Sequence, residues 1–290
     1  MSKFQAAYAR SLIVDVTPPI LLRPMQKLWR AAQGRGFHTF DGCYSNLMDV
    51  PGTDSYDDDE FAMASAAFSL EQQKSAATPK NKLDKVGRLF LPLIASQFTG
   101  KSFTILDFGG GAAGGLFDVA DYMAAGFELS KLSYVLVETP AMCRAVRDKI
   151  APYVRERFGN LSSMQVAEEI PMSVASPLIV NCGGSIQYVP AYRETLGRLA
   201  GLSPKFFIVS GAPIIEEATC ACRHNMYKTV AAWKFNRAEF VDGMRDLGYT
   251  CIVMVDYETV LHTHQNGPVS SNVGMVFCHV LTNQRNQKGL

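Results

Sequence analysis

Short stretches of apolar residues recur along the last two-thirds of the chain, and longer stretches with helical spacing separate them. Seven of the apolar stretches predict β-strands, at residues 103–107, 132–138, 163–167, 178–182, 205–210, 249–256 and 274–281. Strands that alternate with helices predict a mainly parallel, doubly wound sheet with right-handed crossovers. No clear helix separates the last two strands, which favours an antiparallel pairing there. The pattern therefore predicts an α/β fold around a seven-stranded sheet.

Ordinary start and stop signals mark the predicted helices. One helix is expected over residues 116–125, and a second over 140–158, where a proline occupies the first helical position. Asn236 and Glu239 resemble a capping box, which would open a third helix. Gly248 supplies the stop signal of that helix.

The first 82 residues are predicted to form a helical extension that helps to cover a substrate crevice, with residues 83–290 as the main domain. Residues 37–45 are predicted to form a turn with aromatic anchors. Five acids lie within residues 54–60, just before a helical pattern at 61–73. Their spacing fits no calcium loop, so helix capping and the helix dipole explain them better.

The extension begins with a basic segment. Residues 1–36 contain six basic residues and Asp15 as their only acid, a net charge of about +5. Such a segment favours one of two arrangements: a helical arm packed on the main domain, or a weak association with an acidic membrane surface.

Composition excludes several classes of protein. The 290 residues are 48% hydrophobic and 19% charged, with a formal net charge of +1, so nothing global favours nucleic acid binding. The odd number of cysteines, seven, indicates reduced thiols and a cytoplasmic location rather than a disulfide framework. No apolar run reaches the roughly 20 residues of a membrane span, so stable membrane insertion is not expected.

A glycine cluster directly follows the first predicted strand. That strand ends in Asp107, and five glycines lie between Gly109 and Gly115. A glycine turn between a strand and a helix presents backbone N–H groups and a positive helix end to a cofactor. Gly109, Gly111 and Gly114 formally satisfy the dinucleotide-binding pattern, which is a weak signal alone. A glycine-rich turn that binds nothing is the plainer alternative.

The stretch Leu-Asp-Phe-Gly-Gly-Gly-Ala at residues 106–112 resembles the first motif of class I S-adenosylmethionine (SAM) methyltransferases. The resemblance implies a Rossmann-like sheet with an antiparallel last strand, and SAM as the cofactor. It further implies that Asp107 orients the loop and the cofactor, while Gly109, Gly110 and Gly111 make room for the methionine part. The usual third glycine would fall at Ala113, which is a mild departure.

Glu138 ends the second predicted strand. Ligands of open α/β sheets lie outside the carboxyl ends of neighbouring strands, so Asp107 and Glu138 are expected to flank one crevice. A carboxylate in this place can accept hydrogen bonds from both hydroxyls of a ribose. Glu138 lies 27 residues beyond Gly111, more than the roughly 20 of the nicotinamide fingerprint. The alternative is a surface glutamate at a strand end.

The chain is also similar to a narrower family of bacterial methyltransferases often encoded near polysaccharide-biosynthesis genes. The similarity is carried by residues 40–45, 105–110, 137–140 and 185–189 and by Trp233. Residues 184–199 resemble the segment after the fourth strand of small-molecule methyltransferases, which implies that Gln187 lies at the cofactor. Tyr188 follows the fourth predicted strand and is a candidate to orient the acceptor or to pack against SAM. Residues 210–213 read Ser-Gly-Ala-Pro where the family would have a segment like Asp-Arg-Thr-Pro, so the family's substrate does not carry over.

A hydroxyl or amine acceptor can need a base within hydrogen-bond reach. His224 follows the fifth predicted strand and is the first candidate for this base, with a structural or surface histidine as the alternative. Cys220, Cys222 and His224 could together suggest zinc, but no second cysteine pair completes a four-ligand site, so no metal is predicted. His262 and His264 could join them only through the tertiary fold.

Together these features predict a SAM-dependent methyltransferase that acts on a small-molecule or saccharide acceptor, at oxygen. An NAD(P)-dependent oxidoreductase and a non-catalytic scaffold with the same fold are the alternatives. The calorimetric behaviour of SAM, S-adenosylhomocysteine and NAD(H) separates the three. The sequence leaves the oligomeric state open.

Overall fold

The computed structural model describes residues 39–75, 86–122, 128–225, 228–258 and 270–280. Within them the strands form a single ten-stranded sheet. The strands are β1 (Thr39–Tyr44), β2 (Phe103–Phe108), β3 (Leu132–Val137), β4 (Ser163–Ala167), β5 (Leu178–Gly183), β6 (Phe206–Ile215), β7 (Cys220–Asn225), β8 (Thr229–Asn236), β9 (Tyr249–Glu258) and β10 (Ser271–His279).

Seven of these strands are the predicted ones, in the order β4-β3-β2-β5-β6-β10-β9. The pairs from β4 to β6 are all parallel, whereas β10 is antiparallel to both β6 and β9. The direction of winding reverses between β2 and β5, which is the topological switch point of doubly wound folds. The predicted fold class is confirmed, including the antiparallel last strand.

Seven α-helices accompany these strands in the described parts of the chain. They are α1 (Asp59–Ser75), α2 (Phe90–Ala95), α3 (Gly114–Tyr122), α4 (Pro140–Ala145), α5 (Ala151–Arg157), α6 (Tyr192–Gly201) and α7 (Arg237–Asp246). A π-helical turn over Val146–Ile150 joins α4 to α5, so the predicted helix at 140–158 is nearly continuous. The predicted helix at 61–73 is α1.

The capping box predicted for α7 forms by half. The Asn236 side chain accepts a 2.9 Å hydrogen bond from the Glu239 N–H, as expected. The carboxylate of Glu239 does not complete the box in return, because it accepts a hydrogen bond of 2.8 Å from the Thr219 hydroxyl instead.

Two hydrophobic clusters cover the two faces of the sheet. Alternate residues of one strand point to opposite faces, so Tyr134 and Leu136 of β3 join one cluster while Val135 and Val137 join the other. The first cluster includes residues of α3 and α4, and the second includes residues of α6 and α7. Helices therefore bury both faces, as the near-continuous apolar character of the parallel strands requires.

Three strands were missed, and they extend the sheet beyond β6. β7 and β8 form an antiparallel hairpin, β1 pairs with β7, and β8 joins β6 only at Ile214 and Ile215. The turn predicted at residues 37–45 is wrong for its described part. Gly42, with a φ of 80°, lies where the β1–β7 register shifts, and this bulge made a strand read as a turn.

Several predictions fall outside the described residues: the basic segment 1–36, the joint near residues 78–83, Gly126, and the histidines at 262 and 264. The division at residue 82 stays a prediction. Across the part of the chain that the structure describes, no helix has the length and apolar character needed to cross a bilayer.

Candidate functional site

The glycine turn lies between the carboxyl end of β2 and the start of α3. Gly109 and Gly111 have φ values of 65° and 57°, a backbone region that side chains with a Cβ rarely adopt. A Cβ on Gly109 would lie 2.3 Å from Cβ of Ser185, and one on Gly110 would lie 2.3 Å from Oδ2 of Asp107. At Gly111 nothing lies within 4 Å of that position. Gly109 and Gly110 thus allow neighbouring side chains to pack against the turn, whereas Gly111 faces open space.

Asp107 is buried below this turn. Its carboxylate accepts hydrogen bonds from the Tyr134 hydroxyl and, at 2.7 Å, from Nδ2 of Asn181. Burial raises the pKa of Asp107, while these two donors oppose the shift. The carboxylate sits against the glycines from the side of the core, which is the geometry expected for orienting the loop. Direct contact of Asp107 with a cofactor stays a prediction.

Glu138 follows β3, the neighbour of β2, and its carboxylate reaches across to the glycine turn. Oε1 accepts a hydrogen bond of 2.9 Å from the Gly111 N–H, and Oε2 accepts one of 2.8 Å from the Thr139 N–H. Burial raises the pKa of Glu138, and these two N–H donors act in the opposite direction. Glu138 is 8% exposed, so the alternative of an ordinary surface glutamate does not fit the structure.

The segment after β5 contacts the glycine turn from the side of that strand. Ser185 donates a 2.6 Å hydrogen bond to the Phe108 carbonyl. Nε2 of Gln187 donates to the carbonyls of Gly184, at 3.0 Å, and Gly211, at 3.4 Å. Gln187 is buried and ties the end of β5 to β6. Its predicted contact with the cofactor stays a prediction.

His224 follows the fifth predicted strand along the chain, and the structure places it within β7. Its Nδ1 is 3.0 Å from the Tyr188 hydroxyl, and its ring stacks on Phe40 with centroids 4.0 Å apart. Burial raises the pKa of Tyr188 well above its ordinary value. The structure therefore brings together the two residues predicted to be catalytic, with His224 buried.

We call residues 54–59, most of the acid-rich segment noted in the sequence, the acidic strap; sequence reasoning missed its contacts with distant parts of the chain. Asp58 caps α1 as predicted, because its Oδ1 accepts a hydrogen bond of 2.7 Å from the Phe61 N–H. The strap also contains Tyr56, whose ring stacks on Tyr188 with centroids 5.2 Å apart. The unusual density of acids was the available signal, but its partners are distant in sequence.

Two cysteines lie on the same strand as His224. Register pairs place Cys220, Cys222 and His224 on one face of β7, opposite Lys234, Ala232 and Val230 of β8. Burial raises the pKa values of Cys220 and Cys222 to about 12. Across the described ranges, no group of three or more His, Cys, Asp or Glu residues is arranged to hold a metal ion.

No known family profile matches this chain, and no curated protein matches it. Solved structures do. One is a 1,6-didemethyltoxoflavin-N1-methyltransferase of Burkholderia thailandensis with bound 1,6-didemethyltoxoflavin and S-adenosylhomocysteine, 14% identical, covering 79% of this chain and 93% of that chain, with a TM-score of 0.44. Another is a magnesium protoporphyrin IX methyltransferase of Synechocystis with bound SAM, 12% identical, covering 78% and 100%, with a TM-score of 0.46.

A third is the N-terminal domain of EvdMO1 with S-adenosylhomocysteine and D-fucose, 13% identical, covering 67% of this chain and 82% of that chain, with a TM-score of 0.47. At this level of identity the likeness concerns the fold alone. The chemistry of the site rests on the residues of this chain.

Proposed function

We propose that the protein is a SAM-dependent methyltransferase that acts on a small-molecule or sugar-like acceptor, at oxygen. The observation that carries the proposal is the pairing of the Gly111 N–H with Oε1 of Glu138 at 2.9 Å, next to the switch point of the sheet. Crevices at this position are where open α/β sheets bind nucleotide-like ligands.

The residues present fit an adenosyl cofactor. Gly111 leaves open space where a side chain would project, so a ligand can approach the backbone closely. Glu138 offers two carboxylate oxygens, which suit the two hydroxyls of a ribose. Asp107 lies against Gly110 and Gly115, and Ser185 holds the turn from the side of β5.

Bound SAM would supply an activated methyl group, since its sulfonium is a good leaving group. The protein then has to align the acceptor, exclude water and take up a proton if the acceptor is a hydroxyl. We assign proton uptake to Nδ1 of His224, acting through the Tyr188 hydroxyl 3.0 Å away. The raised pKa of Tyr188 keeps its phenol protonated, so Tyr188 passes a proton on rather than storing negative charge.

Calorimetric titration of the purified protein with SAM, S-adenosylhomocysteine and NADH tests this proposal. We expect saturable binding of the first two and none of NADH. Binding of NADH alone would replace the proposal with an oxidoreductase. The absence of binding by all three would favour a scaffold that has the fold but not the cofactor.

A further inference from the structure

The acidic strap is fastened to the tip of the β7–β8 hairpin at one side. The Asp54 N–H donates to the Thr229 carbonyl at 2.7 Å, and the Thr229 N–H donates to Oδ2 of Asp54 at 3.2 Å. Lys228, beside Thr229, pairs with Asp58 at 2.5 Å. The strap therefore holds the hairpin by backbone and side-chain contacts together.

The same short segment is fastened at its other side to α4. The Ala141 N–H donates to Oδ1 of Asp57 at 2.9 Å, which caps the start of that helix. Arg144 pairs with Asp59 at 2.7 Å. Because α4 begins directly after Glu138 and Thr139, the strap ends beside the predicted ribose-binding carboxylate. It thus joins two elements that lie on different sides of the glycine turn.

Tyr56 occupies the middle of the strap and lies between the two groups of predicted site residues. Its ring stacks on Tyr188 at an interplanar angle of 24° and meets the edge of Phe61. The pKa of Tyr56 is raised to about 12, first by burial of its hydroxyl and then by the negative charge of Glu138. Even so, 37% of the Tyr56 surface remains exposed.

We propose that Tyr56 is a binding residue of the crevice and that the acidic strap must release the hairpin to let a ligand in or out. This inference rests on the proposed function, because the ligand concerned is the adenosyl cofactor. The contacts between the strap and the hairpin are few enough to break and re-form. The ion pair between Asp58 and Lys228 is partly exposed and so contributes little stability, which leaves the two hydrogen bonds between Asp54 and Thr229 as the other contacts that release has to break.

The binding role is tested by Tyr56→Ala, with Tyr56→Phe as its conservative partner. S-adenosylhomocysteine affinity, measured by calorimetry, should fall by about fivefold or more in Tyr56→Ala, the scale of one aromatic contact. Tyr56→Phe should stay within about twofold of the wild type, since the ring remains. The control is Phe68→Ala, which removes an exposed ring from α1. Equal affinity in Tyr56→Ala and the control would overturn the binding role.

The closure is tested by Asp58→Asn. Asparagine keeps an oxygen for the Phe61 N–H, so α1 stays capped, but it loses the charge that faces Lys228. The dissociation rate of S-adenosylhomocysteine, followed by stopped-flow fluorescence, should rise by about threefold or more. Salt at about 0.5 M should accelerate dissociation more in the wild type than in the variant. Asp242→Asn, which breaks the exposed pair with Arg245, should leave the rate unchanged.

Thermal melts of each variant report whether it folds. A wild-type protein that fails to bind S-adenosylhomocysteine would overturn the proposed function and this inference with it. If the wild type binds S-adenosylhomocysteine and the variants have the same affinity and dissociation rate as the wild type, only the inference about the strap is overturned. If Tyr56→Ala does not fold, the dissociation rate measured for Asp58→Asn still decides whether the strap controls release of the ligand.

Discussion

The backbone N–H of Gly111 donates a 2.9 Å hydrogen bond to Oε1 of Glu138, although 27 residues separate the two. This bond joins the segments that follow two neighbouring parallel strands, β2 and β3. The donor belongs to a glycine with open space beside it, and the acceptor is the carboxylate of a buried glutamate. A ligand diol that binds Glu138 has to share this oxygen with Gly111 or replace the bond.

Removing the Glu138 carboxylate should weaken cofactor binding. Glu138→Ala is expected to cost ~1.5–3 kcal/mol, the usual range for a hydrogen bond to a charged group, or about tenfold to a hundredfold in affinity. Calorimetry with S-adenosylhomocysteine gives the value. Glu168→Ala is the matched control, since Glu168 follows the next strand and is exposed beside Arg147. A loss below about twofold for Glu138→Ala would remove this residue from the site.

The raised pKa of Glu138 predicts how binding depends on pH. A raised carboxyl pKa means that protonation begins at a higher pH than for an ordinary glutamate. The neutral acid is a poorer acceptor for ribose hydroxyls, so affinity should decline as the pH falls through this raised value. Titrations over a pH series should show the decline in the wild type. In Glu138→Gln affinity should be lower throughout and nearly flat; a decline identical to that of the wild type would assign it to another group.

The buried network at Asp107 predicts a stability difference between two tyrosines. Tyr134→Phe removes a hydrogen bond to the Asp107 carboxyl and should cost ~1.5–3 kcal/mol if Asp107 is ionised. Tyr249→Phe removes a buried bond of 3.1 Å to the neutral Pro204 carbonyl and should cost only ~0.5–1.5 kcal/mol. Urea unfolding compares them. Equal costs would indicate that Asp107 is neutral in the fold.

Loss of the proposed base should affect turnover and spare binding. Once an acceptor has been found by screening, His224→Ala should lower turnover by ~10²–10⁴ while S-adenosylhomocysteine affinity stays nearly constant. Tyr188→Phe should reproduce the loss, because it interrupts the contact with Nδ1. His279→Ala, a histidine packed against Tyr249, is the control. Normal turnover in His224→Ala would mean that positioning alone drives transfer, or that the base lies elsewhere.

Local patterns were sufficient for the central sheet. Apolar runs such as Leu132–Val137 are typical of strands buried on both faces, and Thr139 with Pro140 marks a helix start because capping depends only on neighbours. The glycine cluster predicted the turn, since positive φ at Gly109 and Gly111 is a local requirement. The fold class follows from these features.

Contacts between distant segments could not be predicted in the same way. The alternation of Cys220, Cys222 and His224 places them on one face of an extended segment, which raises zinc as an alternative but predicts no metal. It does not reveal the strand β7, whose partner β1 is distant in sequence. Helix capping and the helix dipole explain the acids of the strap from local sequence, but nothing local indicates that Asp58 also pairs with Lys228. The glycine turn and Glu138 were predicted as a site, but their hydrogen bond required the register of β2 against β3.

A comparison of two glycine variants tests the central claim most directly. Gly111 and Gly100 both have positive φ and open space where a Cβ would project. Gly111 follows β2, however, whereas Gly100 precedes it, so the two glycines lie beyond opposite ends of that strand. Leucine at either position therefore introduces similar backbone strain. Calorimetric titration with S-adenosylhomocysteine should show that Gly111→Leu is folded and no longer binds, whereas Gly100→Leu binds like the wild type. Unchanged affinity in a folded Gly111→Leu would contradict the assignment of this turn to the cofactor.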